Sequence, residues 1–467
     1  MTDRDAAAVG AMPQKTPMPW GLYVVGALGG LLFGFDTGVI SGAGPIVQSD
    51  WGLDAAQLGF ITASVLIGSM VGALSAGRLS DRFGRKKLFV VSAIVFIVGG
   101  IGLMFSQNFA VMSIFRIILG FAIGTTSTLT PTYLVELSDK GHRGSIASMF
   151  QLMITIGIEV AYFINLAFLH CDAAGLANWR WMFGSELLPA AILMIGSIVL
   201  PESPRWLVKE GRVEEAGSVL LGRLHRTADA AKAELADIQA VLAKDPGQGT
   251  FKEVFKTSGK AVLVAILLMF FQQLVGINAI IYFTPKIFES SFHFDASNAI
   301  WISIGIGAVN VVSTIVATKL MDKFGRKSWL IFGSIVMCVA FAVIIVVDLV
   351  FGTSSLSAAV ITMIFIAIFI IGFAVSWGPI CWILISEIFP LKVRGVGTSI
   401  GSAANWIGDF LVSQFFTMIL AACHNNIAVP FIIFFCFAFL SIFFVKFMVP
   451  ETRGRSLEQI EEDAMGK

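Results

Sequence analysis

A charged six-residue motif occurs twice in this otherwise apolar chain. It reads Asp-Arg-Phe-Gly-Arg-Lys at residues 81–86 and Asp-Lys-Phe-Gly-Arg-Lys at residues 322–327 of the 467-residue sequence. Other features recur at a similar spacing: Glu136 with Arg143 and Glu387 with Arg394, and Pro-Glu-Ser-Pro-Arg at 201–205 with Pro-Glu-Thr-Arg at 450–453. The sequence therefore predicts a tandem duplication of one structural unit.

The composition places the chain in a membrane. Hydrophobic residues make up 56% and charged residues 13%, whereas soluble domains carry about 25% charged residues. Apolar stretches of about 20 residues predict membrane-spanning helices, and a barrel is disfavoured because these stretches do not alternate apolar and polar residues. We expect an all-α membrane protein with twelve transmembrane helices in two six-helix bundles. The predicted spans lie near residues 20–44, 57–80, 87–106, 109–135, 145–169, 181–200, 258–285, 298–320, 328–350, 357–385, 396–421 and 428–449.

Basic residues indicate the orientation, because Lys and Arg stay on the cytoplasmic side of short loops. They are concentrated after the even-numbered spans, so both termini are predicted to be cytoplasmic. The net charge of +1 then reflects topology and gives no indication of nucleic-acid binding. These basic residues are Arg82, Arg85, Lys86, Lys87, Lys140, Arg143, Arg205, Lys323, Arg326, Lys327, Lys392 and Arg394.

The spans divide the chain into an N-terminal bundle at 1–200, a cytoplasmic helical linker at 201–257, a C-terminal bundle at 258–449 and a cytoplasmic tail at 450–467. The linker mixes charges with Ala and Leu, which is typical of amphipathic helices. No glycine-rich phosphate loop or metal-ligand spacing occurs in it, so we expect no metal, no organic cofactor and no enzyme activity. Cys171 and Cys423 lie in corresponding external loops, which leaves a disulfide open.

The ordered motifs resemble the sugar porter family of the major facilitator superfamily over essentially the whole chain. Besides the repeated hexapeptide, they are Pro-Glu-Ser-Pro-Arg-Trp at 201–206, Gln-Gln-Leu-Val-Gly-Ile-Asn at 272–278 and Pro-Glu-Thr-Arg-Gly-Arg at 450–455. The chain looks most similar to bacterial galactose, arabinose and xylose proton symporters, and next to animal glucose carriers. The resemblance implies a major facilitator fold with short cytoplasmic helices between the halves, and a monomer in the bacterial inner membrane that carries a monosaccharide by alternating access.

Charged residues at the cytoplasmic helix ends are interpreted as a gate. Carboxylates and guanidiniums there can pair and hold helices together when the cytoplasmic side closes, and the resemblance implies closure in the outward-open state. The alternative is that they only enforce topology and cap helices. The gate residues are Asp81, Arg82, Arg85, Glu136, Arg143, Glu202, Arg205, Asp322, Arg326, Glu387, Arg394 and Glu451.

Asp36 in the first span is the predicted proton-coupling group. A charge at the bilayer centre costs about 2.5–3.5 kcal/mol on insertion scales, and Arg116 of span 4 is the expected partner. The resembled proton symporters carry this Asp and Arg, whereas facilitative carriers have Asn instead of the Asp. Protonation would break the pair, and coupling follows if proton and sugar favour the same orientation. The alternative is a static ion pair.

Amides and aromatic residues at membrane depth predict a sugar site between the halves. Gly276 and Pro285 are expected to break span 7. Ile158 favours a hexose, since galactose symporters and glucose carriers have Ile there and xylose symporters have Gln. The alternative is that the amides only join helices. The predicted site residues are Phe33, Gln151, Ile158, Gln272, Gln273, Asn278, Tyr282, Asn310, Trp382, Asn405 and Trp406.

Four further acids lie in the spans. Glu159 and Asp409 are interpreted as tuning sugar binding, with a second proton site or counter-ions for a cationic substrate as alternatives. Glu186 and Asp348 lie near span ends and are expected to be solvated. The leading prediction is a proton-coupled importer of a hexose, glucose or galactose. A facilitative uniporter and a symporter for a pentose, polyol or other small polar solute are the alternatives, and a sugar sensor and a drug or cation antiporter are disfavoured.

Overall fold

The computed structural model describes residues 19–138, 143–171, 173–243, 250–320, 325–352, 355–390 and 393–452, without the side chains of residues 143–145, 147 and 241. Helices account for nearly all of these residues. The N-terminal half contains α1 Trp20–Trp51, α2 Ala55–Phe83, α3 Arg85–Met104, α4 Phe109–Leu137, α5 Arg143–Phe168, α6 Asn178–Gly184 and α7 Leu187–Val199. The linker contains α8 Pro204–Lys209, α9 Val213–Gly222 and α10 Ala228–Ala243. The C-terminal half contains α11 Phe251–Leu274, α12 Ile277–Ser290, α13 Ala296–Leu320, α14 Arg326–Phe351, α15 Leu356–Val375, α16 Trp377–Glu387, α17 Arg394–Ala422 and α18 Ala428–Met448.

Each of the twelve predicted spans corresponds to a long helical segment. Within the described residues, eleven segments are long and apolar enough to cross a membrane. The twelfth, α17, has 29 residues but carries Asn405, Asp409 and Gln414 among its apolar residues. It packs between α2 and α11, where polar side chains are shielded from lipid.

The two halves repeat the same packing, which supports the predicted duplication. In the N-terminal half, α1 packs on α5, α2 on α4 and α3 on α7. The corresponding pairs in the C-terminal half are α11 with α17, α13 with α15 and α14 with α18. The halves meet where α2 contacts α17, α5 contacts α13 and α1 contacts α12.

The predicted break in span 7 lies at Gly276, between α11 and α12. Its φ of 87° is left-handed, a conformation that glycine adopts without steric penalty. Pro285 does not break the helix, because it lies inside α12, which continues to Ser290. Span 10 is also interrupted, at Ser376 between α15 and α16, and span 6 has a junction at Ser185 and Glu186 between α6 and α7.

Among the described residues, the hydrogen bonds between the halves lie toward one end of the molecule. We call the end with the α2–α3, α4–α5, α13–α14 and α16–α17 connections the charged end, and the other the opposite end. Near the opposite end, Lys286 donates to Gln48 (2.6 Å) and Thr417 donates to the carbonyl of Ala55 (2.7 Å). The hydroxyl of Tyr162 donates to the carbonyl of Ile281 (3.0 Å). Cys171 and Cys423 are free thiols, so the structure contains no disulfide between them.

Close packing of α1 on α5 gives a stability prediction. A Cβ at Gly34 would collide with the main chain of Ile154, whereas a Cβ at Gly77 meets nothing within 4 Å. Because the α5 backbone cannot yield as a flexible side chain would, Gly34→Ala is expected to destabilise the protein by about 1–3 kcal/mol. Gly77→Ala is the matched control and should be neutral or slightly stabilising. Thermal unfolding of the purified variants measures the difference, and equal midpoints would contradict this packing.

Candidate functional site

The predicted pair of Asp36 and Arg116 is present and buried. Nη1 of Arg116 donates to the Asp36 carboxylate, and the two residues are 0% and 2% exposed respectively. The guanidinium also donates to the carbonyls of Ile61 (3.2 Å) and Thr62 (3.1 Å) on α2. One ion pair therefore joins α1, α2 and α4 inside the N-terminal half.

Glu186 is a third charged residue of this group, and our expectation that it is solvated was wrong. The residue is 0% exposed, and neither carboxyl oxygen has a hydrogen-bond partner within the described structure. It interacts electrostatically with both Asp36 and Arg116. With all three groups ionised the cluster carries one positive and two negative charges, so it is neutral when one carboxyl holds a proton.

Asp348 was also wrongly expected to be solvated. It is buried and accepts a hydrogen bond from the main-chain N–H of Ala428 (3.2 Å) at the start of α18. No Arg or Lys forms a salt bridge with it in the described part of the chain. Asp348 thus caps a neighbouring helix, unlike the ion-paired Asp36.

Four of the predicted sugar-site amides form one hydrogen-bonded chain in the C-terminal half. Nδ2 of Asn405 donates to Oε1 of Gln272 (2.8 Å), and Nε2 of Gln273 donates to Oδ1 of Asn405 (3.2 Å). Nδ2 of Asn278 donates to Oε1 of Gln273 (3.1 Å). The amides of α11, α12 and α17 are thereby held in fixed orientations beside the break at Gly276.

Asp409 belongs to this amide chain, a contact that the sequence did not predict. Its Oδ2 accepts from Nδ2 of Asn278 (2.6 Å), and its Oδ1 accepts from the hydroxyl of Ser413 (3.0 Å). Asp409 and Ser413 are one helical turn apart on α17, on the face that carries Asn405 one turn earlier. That i, i+4 spacing was readable in the sequence and predicts that Asn405, Asp409 and Ser413 share one helix face, but not which helix packs against it.

Two other predicted amides remain unengaged. Within the described structure, the side chains of Gln151 on α5 and Asn310 on α13 make no hydrogen bond, and neither has a fully buried polar atom. These helices contact each other across the two halves. The pair therefore supplies donors and acceptors that a polar ligand between the halves can use.

Aromatic residues add apolar surfaces from both halves. The rings of Phe33 on α1 and Trp406 on α17 lie 5.5 Å apart, so they make contact across the halves. Tyr282 and Ile158 are buried, whereas Trp382 is 37% exposed. Trp382 therefore lies outside the tightly packed part of the site.

Glu159 lies between the halves, apart from the amide chain. Its Oε2 is buried without a hydrogen-bond partner in the described structure, against Gly307 of α13 and close to Tyr162. Tyr162 was missed in the sequence analysis, although it follows Glu159 by three positions on the same helix face.

At the charged end, four predicted gate residues of the N-terminal half form a cluster. Arg85 pairs with Glu136 through two hydrogen bonds of 3.1 Å and with Asp81 at 3.2 Å. Glu202 accepts from the main-chain N–H groups of Arg85 (2.8 Å) and Lys86 (3.2 Å) at the start of α3, where the helix dipole favours a carboxylate. The cluster links α2, α3 and α4 to the start of the linker.

The C-terminal half repeats this cluster. Glu451 accepts from the main-chain N–H groups of Arg326 (2.9 Å) and Lys327 (3.1 Å) at the start of α14. Arg326 lies 3.8 Å from Glu387. The same carboxylate position at the same helix end in both halves follows from the duplication.

The remaining predicted gate residues do not join these clusters. Arg82 and Arg205 are exposed and make no ion pair with described residues, and Arg394 donates to the main-chain carbonyl of Phe389 (3.3 Å). Asp322 and the Arg143 side chain lie outside the described residues.

These features define a class of protein: a membrane carrier built from two repeated bundles, with a buried ion pair in one half and a buried chain of amides in the other. The chain matches the sugar (and other) transporter family over residues 22–464 and belongs to that family. Its relatives are transporters rather than enzymes.

The comparisons also identify individual relatives. The chain is 41% identical to the D-xylose transporter of Levilactobacillus brevis, over 96% of each protein. It is 38% identical to the galactose-proton symporter of Escherichia coli K12, over 94% of this chain and 93% of that protein. Among solved structures, the partially occluded inward-open xylose transporter XylE from E. coli matches with a TM-score of 0.82 and 29% identity, over 94% of this chain and 99% of that one.

Proposed function

We propose that this protein is a proton-coupled symporter that imports a monosaccharide, with a hexose such as glucose or galactose as the first candidate. The observation that carries the proposal is the buried group of Asp36, Arg116 and Glu186. Asp36 pairs with the guanidinium, and Glu186 is a second buried carboxyl with no hydrogen-bond partner among the described residues, so the group can bind or release a proton inside the protein. Loss of the Asp36–Arg116 pair on protonation changes how α1 is tied to α2 and α4.

The polar site supports a sugar as the substrate. Amides from both halves provide donors and acceptors for hydroxyl groups, and Phe33 and Trp406 provide apolar faces for a sugar ring. Ile158 and the galactose-proton symporter among the relatives favour a hexose. The D-xylose transporter makes a pentose the second candidate.

Alternating access agrees with the contacts between the halves. The hydrogen bonds from Lys286 and Thr417 close the opposite end, which we assign to the outside. The charged end is then cytoplasmic, in agreement with the excess of Lys and Arg there, and both termini lie in the cytoplasm. We retain the division into two bundles, 1–200 and 258–449, joined by the linker at 201–257 and followed by the tail at 450–467, in a monomer of the bacterial inner membrane.

Uptake into vesicles tests this function. The purified protein is reconstituted into liposomes, and uptake of labelled glucose, galactose or xylose is measured under an inward proton gradient. The measurement is repeated with a protonophore. A symporter concentrates its sugar above the external level, and the protonophore abolishes this. Equilibration that the protonophore does not affect would indicate a uniporter, and no uptake of any sugar would overturn the proposal.

Substitutions in the two clusters at the charged end are expected to change the rate of sugar exchange rather than the affinity for sugar. Glu202→Gln and Glu451→Gln keep an acceptor but remove the negative charge at the starts of α3 and α14. If the clusters stabilise one orientation of the carrier, each variant should lower the maximal exchange rate several-fold and leave the half-saturating sugar concentration unchanged. Glu215→Gln is the control, because Glu215 pairs with Arg212 on the exposed surface. Unchanged exchange rates in both variants would mean that the clusters only cap helices.

A further inference from the structure

The amide chain has a fixed direction that starts at two main-chain carbonyls. Nε2 of Gln272 donates to the carbonyls of Trp377 (3.0 Å) and Gly378 (3.1 Å). Carbonyl oxygens only accept, so the NH₂ group of Gln272 must face them and its Oε1 must face Asn405. Asn405 then donates to Gln272 and accepts from Gln273, and Gln273 accepts in turn from Asn278.

Asp409 forms the other end of the chain and is also an acceptor. Nδ2 of Asn278 uses one hydrogen on Gln273 and directs the other to the Asp409 carboxylate (2.6 Å). An amide nitrogen has two hydrogens, so Asn278 has no donor left. The hydroxyl of Ser413 donates to the second oxygen of Asp409.

Asn278 is also the partly exposed member of the chain, and its helix α12 packs against α1 of the other half. Gln272, Gln273 and Asn405 are buried, whereas Asn278 is partly exposed. Its Oδ1 makes no hydrogen bond within the described structure and is not among the buried unsatisfied atoms. The group that Asn278 offers to a ligand is therefore a carbonyl oxygen.

We propose that Asp409 is a positioning residue that sets specificity by keeping Asn278 an acceptor. The site then requires a hydrogen-bond donor at this point of the substrate, such as a hydroxyl group, and discriminates against fluorine, an ether oxygen or hydrogen there. The proposal rests on the proposed sugar transport. It gives Asp409 a role separate from proton coupling by Asp36.

Deoxy and deoxyfluoro sugars test this requirement, because fluorine accepts a hydrogen bond weakly and cannot donate one. Each analogue of the best-transported sugar competes against uptake of the labelled parent in an exchange assay without a proton gradient. In the wild type, we expect one ring position at which the deoxy and the deoxyfluoro analogues both compete about tenfold more weakly than the parent.

Variants of Asp409 distinguish positioning from a structural role. Asp409→Leu releases one N–H of Asn278, so the tenfold penalty on the deoxyfluoro analogue should fall to about twofold, while the deoxy analogue stays weak. Asp409→Asn keeps an acceptor oxygen and should retain the wild-type ratio, as should Ser413→Ala. Each ratio is measured within one variant, so it does not depend on the amount of folded protein.

Two outcomes would contradict the positioning role of Asp409. If every deoxyfluoro analogue competes as well as the parent in the wild type, or if Asp409→Leu keeps the wild-type ratio, the positioning role is wrong while sugar transport stands. Should Asp409→Leu fail to fold, Asp409→Ala carries the same expectation, and the wild-type analogue panel alone still decides whether a donor is required. Absence of any sugar uptake would overturn the proposed function and this role together.

Discussion

Asp36→Asn is expected to abolish sugar accumulation and leave sugar exchange intact. One proton entering down a potential of 100 mV supplies about 2.3 kcal/mol, which supports an accumulation of about 50-fold. Asn has nearly the shape of Asp, but its amide does not bind or release a proton near neutral pH. The ratio of internal to external sugar should therefore fall to about 1. Exchange of internal for external sugar needs no net proton movement and should continue.

Asp348→Asn is the matched control for this variant. Asp348 is another buried carboxyl in a membrane-spanning helix, but it accepts from a main-chain N–H and forms no salt bridge in the described structure. Accumulation by Asp348→Asn should equal that of the wild type. If Asp36→Asn also accumulates sugar normally, the ion pair with Arg116 is a static structural contact.

Asn405→Leu is expected to produce the largest loss of sugar affinity. Asn405 lies in the middle of the amide chain, where it bonds to both Gln272 and Gln273. Leucine has a similar volume but would leave these two buried amides partly unpaired, at about 1–3 kcal/mol for each group. Gln272 then loses a donor and Gln273 loses an acceptor, and the half-saturating sugar concentration should rise about 10- to 100-fold.

Asn165→Leu is the control for the loss of a buried amide. Asn165 lies on α5, the helix of the N-terminal half that corresponds to α17, and donates to the carbonyl of Gly38 (2.9 Å). This variant should lower the thermal-unfolding midpoint without changing the half-saturating concentration. If the two variants affect affinity equally, the amide chain only joins helices.

The sequence predicted the duplicated helical fold because the repeated motifs and apolar stretches are local patterns. The ion pair of Asp36 and Arg116 was predicted for a similar reason: each is an isolated charge in an apolar span, and burial requires a partner. Gln272, Gln273, Asn278 and Asn405 were assigned to the site because they are amides at membrane depth. The structure adds that they are bonded to one another.

The roles of Glu186 and Asp409 could not be predicted from the sequence. Its position near the start of predicted span 6 placed Glu186 near water, but the junction between α6 and α7 buries it inside the bundle, where both helices pack on α1. Asp409 was interpreted as tuning sugar binding, but its contact with Asn278 joins residues far apart in the chain. Such contacts depend on how α12 packs against α17, which periodicity and composition do not encode.

Arg82 and Arg205 show the limit of motif reading at the charged end. Both lie within the repeated motifs of this sequence, yet neither joins the described cluster of Asp81, Arg85, Glu136 and Glu202. Their positions on the helices explain why Arg85 joins the cluster and Arg82 does not. Arg85 and Asp81 are four positions apart across the α2–α3 turn, whereas Arg82 lies on the exposed face beside Phe83.

The central claim is that sugar and protons move together, and sugar-driven proton movement tests it most directly. Protein-containing vesicles are equilibrated without any gradient in weakly buffered medium, and sugar is then added outside. We predict that the external medium becomes alkaline on addition of the sugar with wild-type protein and stays unchanged with Asp36→Asn. Sugar entry by the wild type with no change in external pH would contradict proton coupling and identify a uniporter.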